Sequence, residues 1–426
     1  MKIAVIGGRK RIREIKRIFK EKTEIMFLLD NNVQLAGKEA DGIQIYTPYD
    51  FPKDAIDYIY VFMYENEAVR QELTDLGMDY DRIVCFSNLD LELPEYDRIF
   101  HIDAADRLQM RIKMDYLVSR IRQMEEAYQY FEQNYIYEAA DRFRNRKITL
   151  PKVSSVESTC EKIISDKCSM SRYGDGEFEI IFGHAKDIYQ DNDEELAKRL
   201  REILLSDLDN HIVALADDYG AMDGLRRKNK NTIRRYMTEE KREKHYALLN
   251  MDKEYYNAYI SRPYVIYPHN ETDRAKERFD DLKRIWEGRN VLFIEGSSTR
   301  MGVGNDLFSN TESIQRMIAP NENAYRVYDE IYHTALQYGQ NKLILIALGP
   351  TATVLAYDLA KAGYWALDIG HLDLEYEWFL KGKGYSYVPC KYNNEMLGDT
   401  AVIDIQDEEY EKSIICFLDG KNTNIT

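Results

Sequence analysis

Cysteine is scarce in this sequence: five residues in 426, at Cys85, Cys160, Cys168, Cys390 and Cys416. An odd, scattered set makes neither a disulfide framework nor a zinc pattern, and reads as the reduced thiols of a cytoplasmic protein. No apolar run approaches the roughly 20 residues that span a bilayer, and no signal peptide is visible, since Met1-Lys2-Ile3-Ala4-Val5-Ile6-Gly7 reads as a buried strand. A membrane-borne partner is therefore one the protein visits. Positive charge is also short, with 58 Lys and Arg against 74 Asp and Glu, a net charge of −16. That balance argues against general nucleic-acid binding, which demands a basic face, but leaves room for a local basic pocket. Repeats and low-complexity tracts are absent. Tyrosine, in contrast, is abundant at 33 residues, which suits stacking on sugars as well as ordinary half-buried packing.

The length points to two domains and a connector. In residues 1–100, apolar strands near 2–6, 25–29, 58–63 and 82–86 alternate with helical or polar segments. Ile12, Ile15, Ile18 and Phe19 give the basic segment after Gly7-Gly8 a helical apolar face. Such alternation predicts a Rossmann-like parallel sheet. The turn Gly7-Gly8-Arg9-Lys10-Arg11 lacks the Gly-x-Gly-x-x-Gly fingerprint, so a dinucleotide cofactor is not expected. Its basic residues suit either a phosphate or a solvated helix face.

Residues 101–150 form the connector, with one long helix expected over 104–146. Met110, Met114, Leu117, Ile121, Met124, Tyr128, Phe131 and Tyr135 follow a 4-3-4-3 spacing, the seam of a heptad repeat. Such a seam requires a partner: the same helix in a second subunit, giving a homodimer, or the flank of the second domain. Pro151 opens that domain, 151–426, again α/β. Strands are expected at 211–216, 291–294, 315–319, 342–348 and 365–369, and helices at 158–166, 323–338 and 351–362. Residues 221–288 read as mainly helical, on a lid or acceptor side, and the last 25 or so as peripheral.

The chemistry centres on Ser169-Met170-Ser171-Arg172-Tyr173-Gly174-Asp175-Gly176-Glu177-Phe178. In an extended backbone Asp175 and Glu177 share one side. Gly174 and Gly176 allow close backbone approach, and Arg172 offers a donor fork suited to phosphate. Two hard oxygen donors beside such an arginine suit Mg²⁺ or Mn²⁺ bridging to a diphosphate. The other reading is an Asp-Gly hairpin turn with Arg172 paired to Glu177 at the surface.

Further polar clusters follow predicted strands, where ligands enter open α/β sheets. Ser297, Ser298, Thr299 and Arg300, with Gly302 and Gly304, suit a diphosphate or ribose, or an N-cap cluster. Gly349-Pro350-Thr351 opens a helix whose N–H groups attract anions, or is ordinary turn chemistry. Asp217, Asp218 and Asp306 are candidate bases or donor-sugar ligands, with Asp373 in reserve as a carboxylate. His371 is a candidate general base, metal ligand or structural histidine.

Four ordered blocks resemble one family. They are Ser171 to Glu177, Glu295 to Phe308 (with Asn305 and Asp306), Ala347 to Thr353, and Asp368-Ile369-Gly370-His371. Together they are similar to the GT-D type bacterial glycosyltransferases, formerly described as a domain of unknown function, over roughly residues 150–390. The resemblance implies an α/β fold, a nucleotide-sugar donor (a uridine diphosphate sugar is expected) and a glycan or glycoprotein acceptor. It also implies a divalent cation, Mn²⁺ or Mg²⁺, held by Asp175 and Glu177. Asp218 and His371 would join these two in catalysis. Donor contacts would come from Arg172, Gly174, Ser297, Ser298, Thr299, Arg300, Asn305, Asp306, Gly349 and Thr351. The alternatives are a non-catalytic sugar-nucleotide-binding subunit and, disfavoured by the broken fingerprint, a nucleotide-dependent oxidoreductase.

Overall fold

Apolar strands that alternate with amphipathic helices can bury themselves only by pairing in parallel beneath those helices, and the computed structural model contains two such sheets. It describes residues 1–64, 66–140, 148–184, 190–393, 402 and 406–419. By its contacts the chain divides into two units, Met1–Tyr128 and Gln129–Thr426.

The first unit contains β1 (Lys2–Ile6), α1 (Ile12–Ile18), β2 (Glu24–Leu29), β3 (Glu39–Ala40), β4 (Ile43–Tyr46), β5 (Tyr58–Val61), α2 (Glu67–Asp75) and β6 (Ile83–Cys85). The sheet order is β3-β4-β2-β1-β5-β6. All pairings are parallel except the short β3–β4 hairpin. Without β3, the strands run third, second, first, fourth, fifth, the Rossmann order. Ile12, Ile15 and Ile18 of α1 pack with Ile3 and Val5 in one core, as their spacing requires. The glycine turn serves this packing. A Cβ on Gly7, whose φ is +76°, would stand 2.2 Å from Met63 Cγ, and one on Gly8 would stand 2.3 Å from Ile15 Cδ1. Arg9 pairs with Asp30, at the end of β2, at 3.1 Å.

α3 (Ile102–Glu138) is one continuous helix, about 55 Å long at 1.5 Å per residue. The expected stretch 141–146 lies outside the described residues. Ala105, Leu108 and Ile112 are buried against the first sheet, whereas Met110, Met114, Leu117, Ile121 and Met124 are exposed.

The second unit contains β7 (Lys152–Val153), α4 (Val156–Asp166), β8 (Ser169–Tyr173), α5 (Asp175–Ile181), α6 (Glu194–Leu204), β9 (His211–Leu215), α7 (Arg227–Tyr236), α8 (Glu239–Tyr246), β10 (Glu254–Asn257), α9 (Thr272–Trp286), β11 (Asn290–Gly296), β12 (Ser313–Ala319), α10 (Tyr328–Tyr338), β13 (Leu343–Ala347), α11 (Pro350–Lys361), β14 (Trp365–Asp368), α12 (Leu372–Leu380), α13 (Glu408–Ser413) and β15 (Ile414–Phe417). Its nine strands order as β15-β12-β11-β13-β14-β8-β9-β10-β7, all parallel. Val291 to Ile294 and Leu343 to Ile346 are buried on both faces, which is why their sequence reads as unbroken apolar runs. β10 interrupts the stretch read as mainly helical, and β15 carries the late residues 414–417 onto the sheet edge beside β12. These strands of four residues at most, like β3, β4 and β7, carry too little apolar pattern to be read in advance.

Candidate active site

From β8 the chain builds outward through β9 to β10, while the other flank of β8 is filled by β14, which follows β11, β12 and β13 in the chain. The winding therefore changes direction at β8, and ligands of open α/β sheets enter above such a point, at the carboxyl ends of the strands. Arg172 lies there on β8 and Gly174 just after it, Asp217 and Asp218 follow β9, Tyr259 and Ser261 follow β10, Asp368 ends β14, and Gly370 and His371 follow it.

Arg172 is engaged within the chain. Its Nη2 donates to Asp368 Oδ1 at 2.6 Å, its Nε to the Asp368 carbonyl at 2.9 Å, and its Nη1 to Ser261 Oγ at 2.6 Å. Thr353 Oγ1, on α11, donates to the Arg172 carbonyl at 3.0 Å. Burial raises the Asp368 carboxyl above its ordinary value, with Arg172 pulling the other way. Asp368, not Glu177, is thus the partner of the arginine.

Asp175 and Glu177 do not lie in an extended segment, nor in a hairpin. Gly174 is the N-cap of α5, and the two acids occupy its first turn. Residues two apart on a helix diverge by about 200°, so the expected same-side geometry does not hold. Glu177 Oε2 instead folds back to accept from the Gly174 N–H at 2.8 Å, the return half of a capping box. Burial pushes the Glu177 carboxyl up to about 7, with the Gly174 N–H opposing and the Asp368 charge adding to the rise. Asp175 is exposed, and its charge acts on Asp218 after β9. Gly176 leaves open space: a Cβ there would meet nothing within 4 Å.

Asp217 is pushed up to about 6 by burial. Asp218 is pushed up to about 7, chiefly by burial and further by Asp175 and Asp217, while the hydroxyl of Tyr259 donates to it and pulls the other way. Asp175, Glu177, Asp217 and Asp218 thus make an acidic rim in which burial resists the ionisation of Glu177, Asp217 and Asp218. A divalent cation relieves that resistance, and the donor set of hard carboxylate oxygens fits Mg²⁺ or Mn²⁺. Among the described residues no three His, Cys, Asp or Glu side chains group closely enough to hold a metal by themselves, and such ions ordinarily take one or two carboxylates plus substrate oxygens.

The cluster after β11 is knit into a second network. Glu295 is buried, accepting from Arg316 Nη1 at 2.5 Å and from the Met301 N–H at 2.8 Å, which shapes the turn that carries Ser297 to Arg300. Ser298 N–H donates to Asn321 Oδ1 at 2.9 Å, Thr299 N–H donates to the Gly296 carbonyl at 2.9 Å, and Arg300 Nη1 reaches the Cys390 carbonyl at 3.0 Å. Asp373 Oδ1 accepts from both the Gly302 N–H and Asn305 Nδ2 at 2.9 Å, and Lys391 Nζ donates to Asp373 Oδ2 at 2.5 Å. Asp306 is exposed and holds Tyr376 at 2.7 Å and Lys283 at 3.3 Å, so its carboxylate is engaged within the chain. His371 is half-buried at the N-cap position of α12.

Gly349, at φ +53°, is the N-cap of α11 and Pro350 its first residue. Thr351 is fully buried, yet its Oγ1 has no hydrogen-bond partner among the described residues. A helix N-terminus with an orphaned buried hydroxyl is a ready anion site.

Tyr259 and Ser261 were not foreseen. Both lie in the short turn after β10, and only the preceding Asn257, whose Oδ1 accepts from the Tyr259 N–H at 3.0 Å, marks it in sequence.

Comparison with known proteins bears on the same region. The family model for the glycosyltransferase GT-D fold matches residues 170–396. Glycosyltransferase GlyD of Streptococcus pneumoniae serotype 4 is 35% identical over 278 residues, 63% of this chain and 33% of that protein. A protein of Streptococcus gordonii named probable glycosyl transferase Gly is 34% identical over 268 residues, 62% of this chain and 39% of that one. The alignments thus take in between a third and two fifths of these relatives' length. Among solved structures, one reported as showing that the highly conserved domain of unknown function 1792 has a distinct glycosyltransferase fold matches with a TM-score of 0.59 at 35% identity, over 63% of this chain and 96% of that one. Another, described as a new glycosyltransferase from Streptococcus sanguinis, matches with a TM-score of 0.60 at 34% identity, over 63% and 99%.

Proposed function

Since the chain belongs to the glycosyltransferase GT-D fold family, we propose that it is a metal-dependent glycosyltransferase. It moves a hexose from a nucleotide sugar, a uridine diphosphate sugar being the expected donor, to a glycan or glycoprotein acceptor. The observation that carries this reading is the acidic rim above β8 and β9, where burial raises Glu177, Asp217 and Asp218 together.

In this reading Asp175, exposed at the start of α5, supplies the protein oxygen for Mn²⁺ or Mg²⁺, with substrate oxygens as further ligands, and Glu177 holds the turn that presents it. When bound, the cation offsets the charge that develops on the departing nucleoside diphosphate. The N-terminus of α11, with the Thr351 hydroxyl, receives the diphosphate. Asp218, held by Tyr259 and titrating near neutrality, takes the proton of the acceptor hydroxyl. Arg172 holds the rim together through Asp368 and Ser261. No step is assigned to His371. No described helix is long and apolar enough to cross a membrane.

The test is thermal stabilisation of the full chain by nucleotide sugars with and without Mn²⁺, beside an assay of donor hydrolysis and transfer. A bound ligand raises apparent stability by mass action. A uridine diphosphate sugar should stabilise only with metal, and Asp175→Asn should abolish that shift and lower transfer by about 10²-fold, as loss of a key electrostatic group does. Metal-dependent donor binding without hydrolysis or transfer would make the chain a binding subunit. Unchanged behaviour of Asp175→Asn and Glu177→Gln at limiting Mn²⁺ would remove the metal from α5.

A further inference from the structure

α3 carries two apolar faces, and the described residues of the first unit cover one. Ala105, Leu108 and Ile112 are buried against the first sheet, and Tyr116 stacks on Tyr64 with ring centroids 4.7 Å apart. On the opposite side Met110, Met114, Leu117, Ile121 and Met124 are between 42% and 65% exposed. These five span about 21 Å of helix at 1.5 Å per residue. From Leu117 to Glu126 every residue of the helix is exposed, so this stretch gains little stabilisation from the described residues of its own unit. Isolated helical segments of that length are marginal in water, and a continuous exposed apolar stripe marks a contact surface.

We propose that this stripe is the interface of a homodimer in which two copies of α3 pair in parallel and in register. The heptad positions identify the occupant. With Met114 and Ile121 at a, Met110, Leu117 and Met124 fall at d, so each stripe residue meets its own copy across the axis. A β-branched residue at a beside leucine at d favours two parallel strands. The flanking charges agree. Asp106 and Arg120 occupy g, and Arg111 and Glu125 occupy the e positions five residues on. Parallel pairing therefore sets Asp106 against Arg111 of the partner subunit, and Arg120 against Glu125 of the partner subunit, with no like charges opposed at e and g. An antiparallel register confined to the exposed stripe, with Leu117 facing the partner's Ile121, would instead place Arg120 against the partner's Arg120. Arg111 also contacts Glu14 of its own chain at 3.0 Å, which leaves the Arg120–Glu125 pair as the cleaner probe.

The test is sedimentation equilibrium of the full chain at micromolar concentration. The expected mass is twice 50.2 kDa. Leu117→Glu with Ile121→Glu should return the single-chain mass and lose from the circular dichroism spectrum no more than the few helical turns of the stripe, since both side chains are exposed. Arg120→Glu and Glu125→Arg should each weaken the dimer about fivefold, as exposed pairs do when made twice, and the double exchange should restore it. Leu117→Cys, oxidised with copper phenanthroline, should cross-link to itself well above the unmodified protein. A single-chain mass for the unmodified protein overturns the proposal, as does a dimer that survives the paired glutamates. A dimer in which Leu117→Cys does not cross-link overturns the parallel register.

Discussion

Arg172 closes on Asp368 through two donors, Nη2 to Oδ1 at 2.6 Å and Nε to the carbonyl at 2.9 Å, and Gly370 makes room for it: a Cβ there would stand 2.2 Å from Nη2. Two blocks almost two hundred residues apart in sequence are thereby locked across adjacent strands. Asp368→Asn leaves a partly buried guanidinium without its counter-charge, which should cost about 3 kcal/mol. Gly370→Ala, at φ +47°, should displace the arginine as well. Because both changes break one arrangement, their effects on urea unfolding should be well below additive. Additive losses would show that Gly370 serves the turn alone.

The acidic rim predicts how stability follows pH. Asp217 rises from 3.8 to about 6, Asp218 from 3.8 to about 7 and Glu177 from 4.5 to about 7. The folded state then holds these protons more tightly than the unfolded chain does. Stability without metal should therefore fall as pH rises from the ordinary carboxylate range through about 7, and the cost is fully present above that. Asp218→Asn should flatten the slope and raise the melting temperature on the alkaline side. Added Mn²⁺ should do the same in the unmodified protein. A metal-free melting temperature that climbs through this window contradicts the account.

Tyr259 separates a catalytic from a structural role for its neighbour. Its hydroxyl donates to Asp218 and lowers the carboxyl's affinity for a proton. Tyr259→Phe should move the acid limb of the transfer rate toward higher pH and lower kcat near neutrality by about tenfold, the worth of one hydrogen bond to a charged group, with KM little changed. An unshifted limb would dismiss Asp218 as the base.

Thr351→Val exchanges a hydroxyl for a methyl in the same volume. The Oγ1 it removes is buried and without a partner among the described residues, and an orphaned polar group costs about 1–3 kcal/mol. The ligand-free protein should become more stable, while donor affinity falls roughly tenfold, about 1.4 kcal/mol. Calorimetric titration with a uridine diphosphate sugar and Mn²⁺ reads the second effect. Unchanged affinity would take the diphosphate away from α11.

Local pattern was enough to find the long parallel strands and the long helix. Val291 to Ile294 and Leu343 to Ile346 are buried on both faces, and α3 repeats its apolar residues every three or four positions; burial and helical period are written residue by residue. The same holds for Gly349-Pro350, since a strained turn followed by a fixed φ can only open a helix. Which groups meet was decided by the tertiary structure. Asp175 and Glu177 read as neighbours on one side, but Gly174 caps a helix and sends them apart, toward Asp218 and Asp368 respectively. Arg172 reads as a phosphate donor, but strand β14 inserts beside β8 and brings Asp368 to it. Tyr259 and Ser261 carry no signature, because a hydroxyl gains its role only from the carboxylate or guanidinium that the sheet order sets opposite it. The sequence by itself determined the long elements and the rim on which their ends gather. The pairing across that rim depends on strand order, a property of non-local hydrogen bonding that no short stretch of residues encodes.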